Sequence, residues 1–388
     1  MRNTTCALAT IVLVTSVSAA ARAQVPADIA QGLKKIGAIV DPSCTAKLYR
    51  PLMPKNDVTG SATPPYPGIA VARDISFGKA PKDVVDIFSA EKGPSSRPVL
   101  IYIPGGAGNK IEIQNREANA FYDNIGRWAT KNGMVGVTMQ RHAGESWDDG
   151  GRDVSTMIQW LQANIAKYRG NPDRMFIWAH SAGNVPLGTY VGRPELHGAK
   201  GVGVKGVIFM SGQFNVAPLE AGAFPGGGRR GGPGAGGFNP LAGSGSSCGS
   251  SAAISEEGAV PGRGPGEPGG PTPGAGGRGG PGLPFGGPVD PDTLLKRSSL
   301  PGLKQTSAKI MFVTADLDPG ITGQMSAFSQ AVHDELCKLD GPNAKDGVGR
   351  CPAMLFAKDE SHMSEVFAID TDDKTVSGPI LAWIKSIK

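Results

Sequence analysis

Short apolar runs alternate with amphipathic stretches along most of the chain, and that alternation predicts an order of elements. Ile29, Leu33 and Ile36 recur at helical spacing within Pro26 to Val40. A Pro-rich connection, Pro51 to Gly68, reads as an irregular surface arm. Ile69 to Phe77 and Asp83 to Phe88 read as strands around the turn Gly78-Lys79-Ala80-Pro81. Val99 to Ile103 is continuously apolar, as strands buried on both faces are. Asn115 to Lys131 reads as a helix and Val135 to Met139 as a strand. Asp153 to Tyr168 is helical, with Met157, Trp160, Leu161 and Ile165 on one side. Met175 to Ala179 and Val204 to Met210 are further buried strands, separated by a helical segment, Val185 to Val191. Beyond residue 290 the same rhythm predicts a strand at Lys309 to Thr314 and a helix at Ser326 to Leu339. A strand at Ala353 to Phe356 and a closing helix at Val376 to Ile387 complete it. Strands alternating with helices of this length imply an α/β fold, with a mainly parallel central sheet and helices on both faces.

Composition changes this picture in one place. Of the 57 glycines, 26 fall in residues 221–290 together with 11 prolines, leaving too few apolar side chains there to offset the entropy of ordering. Glycine does not keep an every-third register, which excludes a collagen triple helix. Residues 222–289 therefore read as a disordered Gly/Pro-rich insertion within one domain spanning 69–388. A helix and Pro-rich arm precede that domain, at 24–68.

The first 23 residues read as an export signal. Arg2 supplies the positive start, Ala7 to Val14 the apolar run, and Ala21-Arg22-Ala23 the cleavage site. No stretch reaches the ~18 apolar residues of a membrane span. The expectation is a periplasmic or extracellular protein. Cleavage removes Arg2 and Arg22 and lowers the formal charge from +5 to +3, too little to imply a nucleic-acid partner. Four cysteines remain: Cys44, Cys248, Cys337 and Cys351. None has zinc-site spacing. An oxidising compartment permits disulfides, and Cys337–Cys351 is the favoured pair, closing a short loop between helix and strand. Four free thiols are the alternative.

The candidate chemistry starts at Ala179-His180-Ser181-Ala182-Gly183. A serine between small residues, where a buried strand turns sharply into a helix, has its hydroxyl pushed out of the sheet. The backbone N–H groups that follow lie at a helix N-terminus, which favours negative charge. A serine at an ordinary strand-to-helix turn is the plain alternative. A nucleophilic serine needs a base. His362 follows the last strand, in a loop at the carboxyl end where open parallel sheets place their chemistry. His180 is expected to pack or to support the site. His142 could line a pocket rim, His197 sits in a Gly-rich loop, and His333 is expected on a helix surface. Asp316 and Asp318 both follow the strand at Lys309.

The pattern Ala179-x-Ser181-x-Gly183 resembles the G-x-S-x-G nucleophile elbow of the α/β-hydrolase superfamily, with alanine for the first glycine. Three other segments carry the same resemblance. Pro104-Gly105-Gly106-Ala107 is similar to the H-G-G-G oxyanion loop of esterases, and Gly170-Asn171-Pro172-Asp173-Arg174 to their Gly-x-Asp-Pro-x-Arg lead-in. Asp316-Leu317-Asp318-Pro319 is similar to their Glu-x-Asp-Pro. The order Ser, Asp, His is also that of the superfamily. The resemblance covers roughly residues 65–215 and 290–388, nearest the secreted carboxylesterase and feruloyl-esterase-like branch. It implies an α/β-hydrolase fold and a serine esterase acting on a small-molecule ester, with no metal or organic cofactor. Ser181 would be nucleophile, His362 base and Asp318 the acid, with Asp316 as alternative; the N–H groups of Gly106, Ala107 and Ala182 would hold the oxyanion. A phosphate loop at Gly105 to Lys110 is excluded, since no Gly-Lys-Ser/Thr follows. A peptidase or amidase on the same residues, and a non-catalytic binding protein on this scaffold, remain alternatives.

Overall fold

The computed structural model describes residues 24–54, 64–106, 121–141, 148–219, 291–318 and 324–388. The expected export signal at 1–23, the Gly/Pro-rich insertion, Cys248, His142 and Ala107 lie outside the described residues.

Eight strands form one sheet: β1 Ile69–Ser76, β2 Val84–Ala90, β3 Arg97–Ile103, β4 Val135–Met139, β5 Gly170–His180, β6 Gly206–Met210, β7 Lys309–Leu317 and β8 Ala353–Ser361. Their order is β1-β2-β4-β3-β5-β6-β7-β8. β1 and β2 are antiparallel, β2 is antiparallel to β4, and the remaining pairs are parallel.

The sheet is covered on both faces because the middle stretches of its central strands, such as Val99 to Ile103 and Met175 to Ala179, are continuously apolar, and successive side chains point to opposite sides. Val99, Ile101 and Ile103 of β3 join Ile177 of β5 and Phe209 of β6 in one core. The helices Asp149–Asn164, Asn184–Gly192 and Gln324–Cys337 pack onto it, through residues such as Met157, Leu187 and Val332. Leu100, Tyr102, Phe176, Trp178 and Ile208 point the other way. That second core is closed by helices Ala27–Ile36, Pro42–Tyr49, Asp123–Lys131 and Ser377–Ser386.

Polar chemistry is buried at the β1–β2 edge. Arg73 donates to both carboxylate oxygens of Asp123, one at 2.7 Å, and to Asp86 Oδ2 at 2.9 Å. Both carboxylates are fully buried, and the Tyr66 hydroxyl donates to Asp123 at 2.6 Å.

Several boundaries depart from expectation for local reasons. The first helix ends at Ile36, because Gly37 has φ +87°. A second helix, Pro42–Tyr49, lies where none was expected; Pro42 suits its first turn and Asp41 accepts the Cys44 N–H at 2.9 Å. The expected arm at Pro51 to Gly68 buries Met53 and Tyr66. The helix expected from Asn115 is described only from Asp123, after Tyr122 at φ +66°. β8 runs five residues beyond Phe356, to Ser361. Among the described residues no helix is long and apolar enough to cross a membrane.

Candidate active site

Three elements converge at the carboxyl ends of β5, β7 and β8. β5 ends at His180, and a 3-10 turn, Ser181–Gly183, leads into the helix Asn184–Gly192. Ser181 has φ +53°, the left-handed conformation that a sharp strand-to-helix turn forces on its central residue. Two glycines make this possible. A Cβ on Gly183 would lie 2.6 Å from the Ile103 carbonyl oxygen, and one on Gly105 would lie 2.6 Å from Ser181 Cβ. Ala179, in place of the usual glycine, is fully buried between β3 and β6, which accommodate its methyl.

His362 follows β8 directly and Asp318 follows β7. His362 Nε2 lies 2.8 Å from Ser181 Oγ, and Nδ1 lies 2.8 Å from Asp318 Oδ1. A carboxylate accepts only, so Nδ1 carries the hydrogen and Nε2 presents its lone pair to the Ser181 hydroxyl. The side chains of His362 and Asp318 are 3% and 8% exposed, shielding this line from water. Asp316, the alternative acid, is exposed and accepts the Asp359 N–H at 3.3 Å. Gly106, in the loop after β3, has φ +56°. Ala182 lies in the turn after Ser181, at the helix start.

Other residues hold this geometry, and of these the one-dimensional pattern points only to His180. Ser211 donates to Asp318 Oδ2 at 2.6 Å, and the Ala315 N–H donates to the same oxygen at 3.0 Å. Asn184 donates to the carbonyls of Ser181 and Met210, at 2.9 and 2.8 Å, pinning the turn to the end of β6. Arg141 donates to the Pro104 carbonyl at 3.3 Å and to the Gly106 carbonyl, clamping the glycine loop. His180 donates from Nε2 to the His362 carbonyl at 2.8 Å, with the rings 4.6 Å apart. Burial, and then the charge that His362 can carry, push His180 well below the ordinary imidazole range. It therefore supports the His362 backbone as a neutral side chain. His197 is bonded to the Tyr190 carbonyl, away from this cluster. His333, expected on a helix surface, is buried instead, because its helix face packs onto the loop leading to β8.

Two buried acids flank His362. Glu365 lies beside Asp318; burial first, and then the Asp318 charge, hold its carboxyl well above the usual range. Burial and then Asp373 do the same to Glu360, which is bonded to the Tyr49 hydroxyl at 3.2 Å and to Ser364. Each native carboxyl keeps a proton that the unfolded chain has lost, so stability must fall with rising pH. The contribution is complete below the ordinary glutamate value of 4.5 and is lost as pH climbs through the raised native values. Urea midpoints measured from pH 5 to 9 are expected to decline less steeply in Glu365→Gln and Glu360→Gln than in wild type. Identical slopes in all three would remove this account.

The likenesses to known proteins fit the geometry. The model of the BD-FAE family, an α/β-hydrolase family, matches residues 85–189, from β2 into the helix after Ser181. The acylcarnitine hydrolase of Mus musculus is 30% identical over 117 residues, covering 27% of this chain and 19% of that protein. The cocaine esterase of Homo sapiens is 31% identical over 110 residues, with the same two coverages. The chain thus spans about a fifth of the length of these relatives. A truncated carbohydrate esterase from gut microbiota superposes with TM-score 0.51 at 14% identity, covering 82% of this chain and 95% of its own. Carboxyl esterase 2 from the fungus Tuber melanosporum does so with TM-score 0.50 at 13% identity, covering 84% and 89%. The sheet order and these likenesses give the chain an α/β-hydrolase fold, whose segment 85–189 matches an α/β-hydrolase family and which is similar over part of its length to proteins named as esterases and hydrolases.

Proposed function

We propose that the chain is a serine hydrolase that cleaves carboxylic esters of small molecules through an acyl-enzyme. The observation carrying this reading is the continuous line from Ser181 Oγ through His362 to Asp318, at 2.8 Å for each contact. In the proposed reaction Ser181 Oγ attacks the ester carbonyl carbon while its proton passes to His362 Nε2. Asp318 holds the imidazole in the required tautomer and stabilises its cation. The N–H groups of Gly106, Ala107 and Ala182 receive the negative charge on the former carbonyl oxygen. His362 then gives the proton to the departing alcohol. A water, deprotonated by His362, attacks the acyl carbon, and the acid leaves with Ser181 Oγ reprotonated. The names of the relatives support ester substrates, since one is an acylcarnitine hydrolase and others are esterases. Export to a periplasmic or extracellular location belongs to the same proposal and rests on the charge and apolar pattern of residues 1–23.

A fluorophosphonate reacts with an activated serine hydroxyl and little else. Incubating the protein with such a reagent should add one phosphonyl group per chain, located on Ser181 by peptide mass, and none to Ser181→Ala. A folded wild-type protein that stays unlabelled would overturn the catalytic reading and favour a binding protein on this scaffold.

A further inference from the structure

Away from Ser181, the helix Gln324–Cys337 and the loop leading to β8 bring together His333, Cys337 and Cys351. The two cysteines form a disulfide, closing the loop. Around it lies a second pattern that a disulfide does not need. His333 Nε2 is 3.4 Å from Cys337 Sγ, 3.6 Å from Cys351 Sγ and 3.0 Å from Asp346 Oδ1. His333 Nδ1 is 2.9 Å from Asp334 Oδ1.

We propose that, with Cys337 and Cys351 as thiols, this cluster is a tetrahedral divalent-metal site of zinc type. His333 Nε2 and the two sulfurs would be its protein ligands, with a water oxygen completing the four. Bond lengths of about 2.0 to 2.1 Å to nitrogen or oxygen and about 2.3 Å to sulfur give tetrahedral edges of about 3.5 Å between N and S and about 3.3 Å between N and O. The two N–S edges, at 3.4 and 3.6 Å, already fall close to the first of these values. Among the three protein ligands the remaining edge is between the sulfurs. It must open to about 3.8 Å, which side-chain rotation supplies once no bond joins them. Asp334 on Nδ1 orients the ring so that Nε2 faces both sulfurs, the carboxylate–histidine–metal arrangement of zinc sites. Asp346, 65% exposed, leaves a route for the ion from solvent. His333 and Cys337 are four apart on one helix face, so no short Cys-x-x-Cys spacing marks the site in the sequence.

The disulfide and the metal are then alternative staples for one loop. The thiol form exists before oxidation, or is restored by a phosphine. In that step the phosphine gains an oxygen from one water, whose two hydrogens end on the two sulfurs. Binding of the dication releases two protons as both thiols become thiolates.

The test compares protein reduced with a phosphine under anaerobic conditions against the same protein kept oxidised. Each is offered zinc, desalted and assayed by elemental analysis. Reduced wild type should retain about one zinc per chain and the oxidised form none. Substituting cobalt should give the absorption bands of a tetrahedral thiolate complex. His333→Ala should weaken zinc binding at least tenfold, and Asp334→Asn, which leaves every ligand in place, by about tenfold. Two thiols alone can trap zinc, so His333→Ala decides the matter: affinity equal to wild type would overturn the site. So would failure of reduced wild type to retain metal. Circular dichroism establishes that each variant is folded, and should His333→Ala fail to fold, an unchanged affinity in Asp334→Asn overturns the proposal in its place.

Discussion

Replacing Ser181 by alanine is expected to lower kcat on an activated ester by about 10⁶-fold, with the fold intact. The loss is large because the hydroxyl is the only group in the proposed line that can form the acyl-enzyme. The fold survives because alanine at φ +53° carries about the same backbone strain as the serine it replaces. His362→Ala should cost about as much, and the double variant little more, since either change leaves the other residue without a partner. Asp318→Asn should cost about 10⁴-fold, because an amide at that position favours the tautomer with Nδ1 as acceptor and turns Nε2 from acceptor to donor. Steady-state kinetics on the four variants test this directly. A Ser181→Ala protein retaining more than a hundredth of wild-type activity would show that the nucleophile lies elsewhere.

Removing a cation from the β1–β2 edge should have the largest effect on stability. Arg73 binds Asp86 and Asp123 together, and both carboxylates are fully buried. Arg73→Ala removes the guanidinium that the two buried carboxylates share. Breaking a buried ion pair from one side costs about 3 to 5 kcal/mol. Since the Arg73 side chain is 30% exposed, water screens part of the interaction, and about 3 kcal/mol is expected. Adding Asp123→Asn to Arg73→Ala should recover part of that loss, because a neutral amide still accepts from the Tyr66 hydroxyl. Urea unfolding of the single and double variants gives the numbers. A change below about 0.5 kcal/mol in Arg73→Ala would mean that the network contributes nothing net.

The division between what was legible in the chain and what was not follows from range. Periodicity is local, so the apolar runs of β3, β4 and β6 marked those strands, with β4 at Val135–Met139 as expected. Small residues beside Ser181 marked the turn, since tight backbone approach leaves a compositional trace, and Gly105 and Gly183 are the positions where a Cβ would collide. Asp318 and His362 were accessible to inference because parallel strands all end on one side of the sheet. Two polar residues following two such strands must then share that side. No such rule reaches the supports. His180 meets the His362 carbonyl across 182 residues, Ser211 meets Asp318 across 107, and Arg141 meets the loop at Pro104 across 37. Their residue types are ordinary, and only the packing of β3 to β8 decides which polar atom faces which. Burial of His333 is of the same kind: a histidine on a helix reads as solvated until the opposing loop, carrying Cys351 and Asp346, is folded over it. Thus the chain by itself determined the layered α/β order, the serine turn and the order Ser, Asp, His, because each depends on neighbours within a few residues or on strand polarity. Tertiary structure alone decided the hydrogen-bond partners, the raised carboxyls of Glu360 and Glu365, and the clustering of His333 with two sulfurs, because each depends on atoms brought close across distant segments.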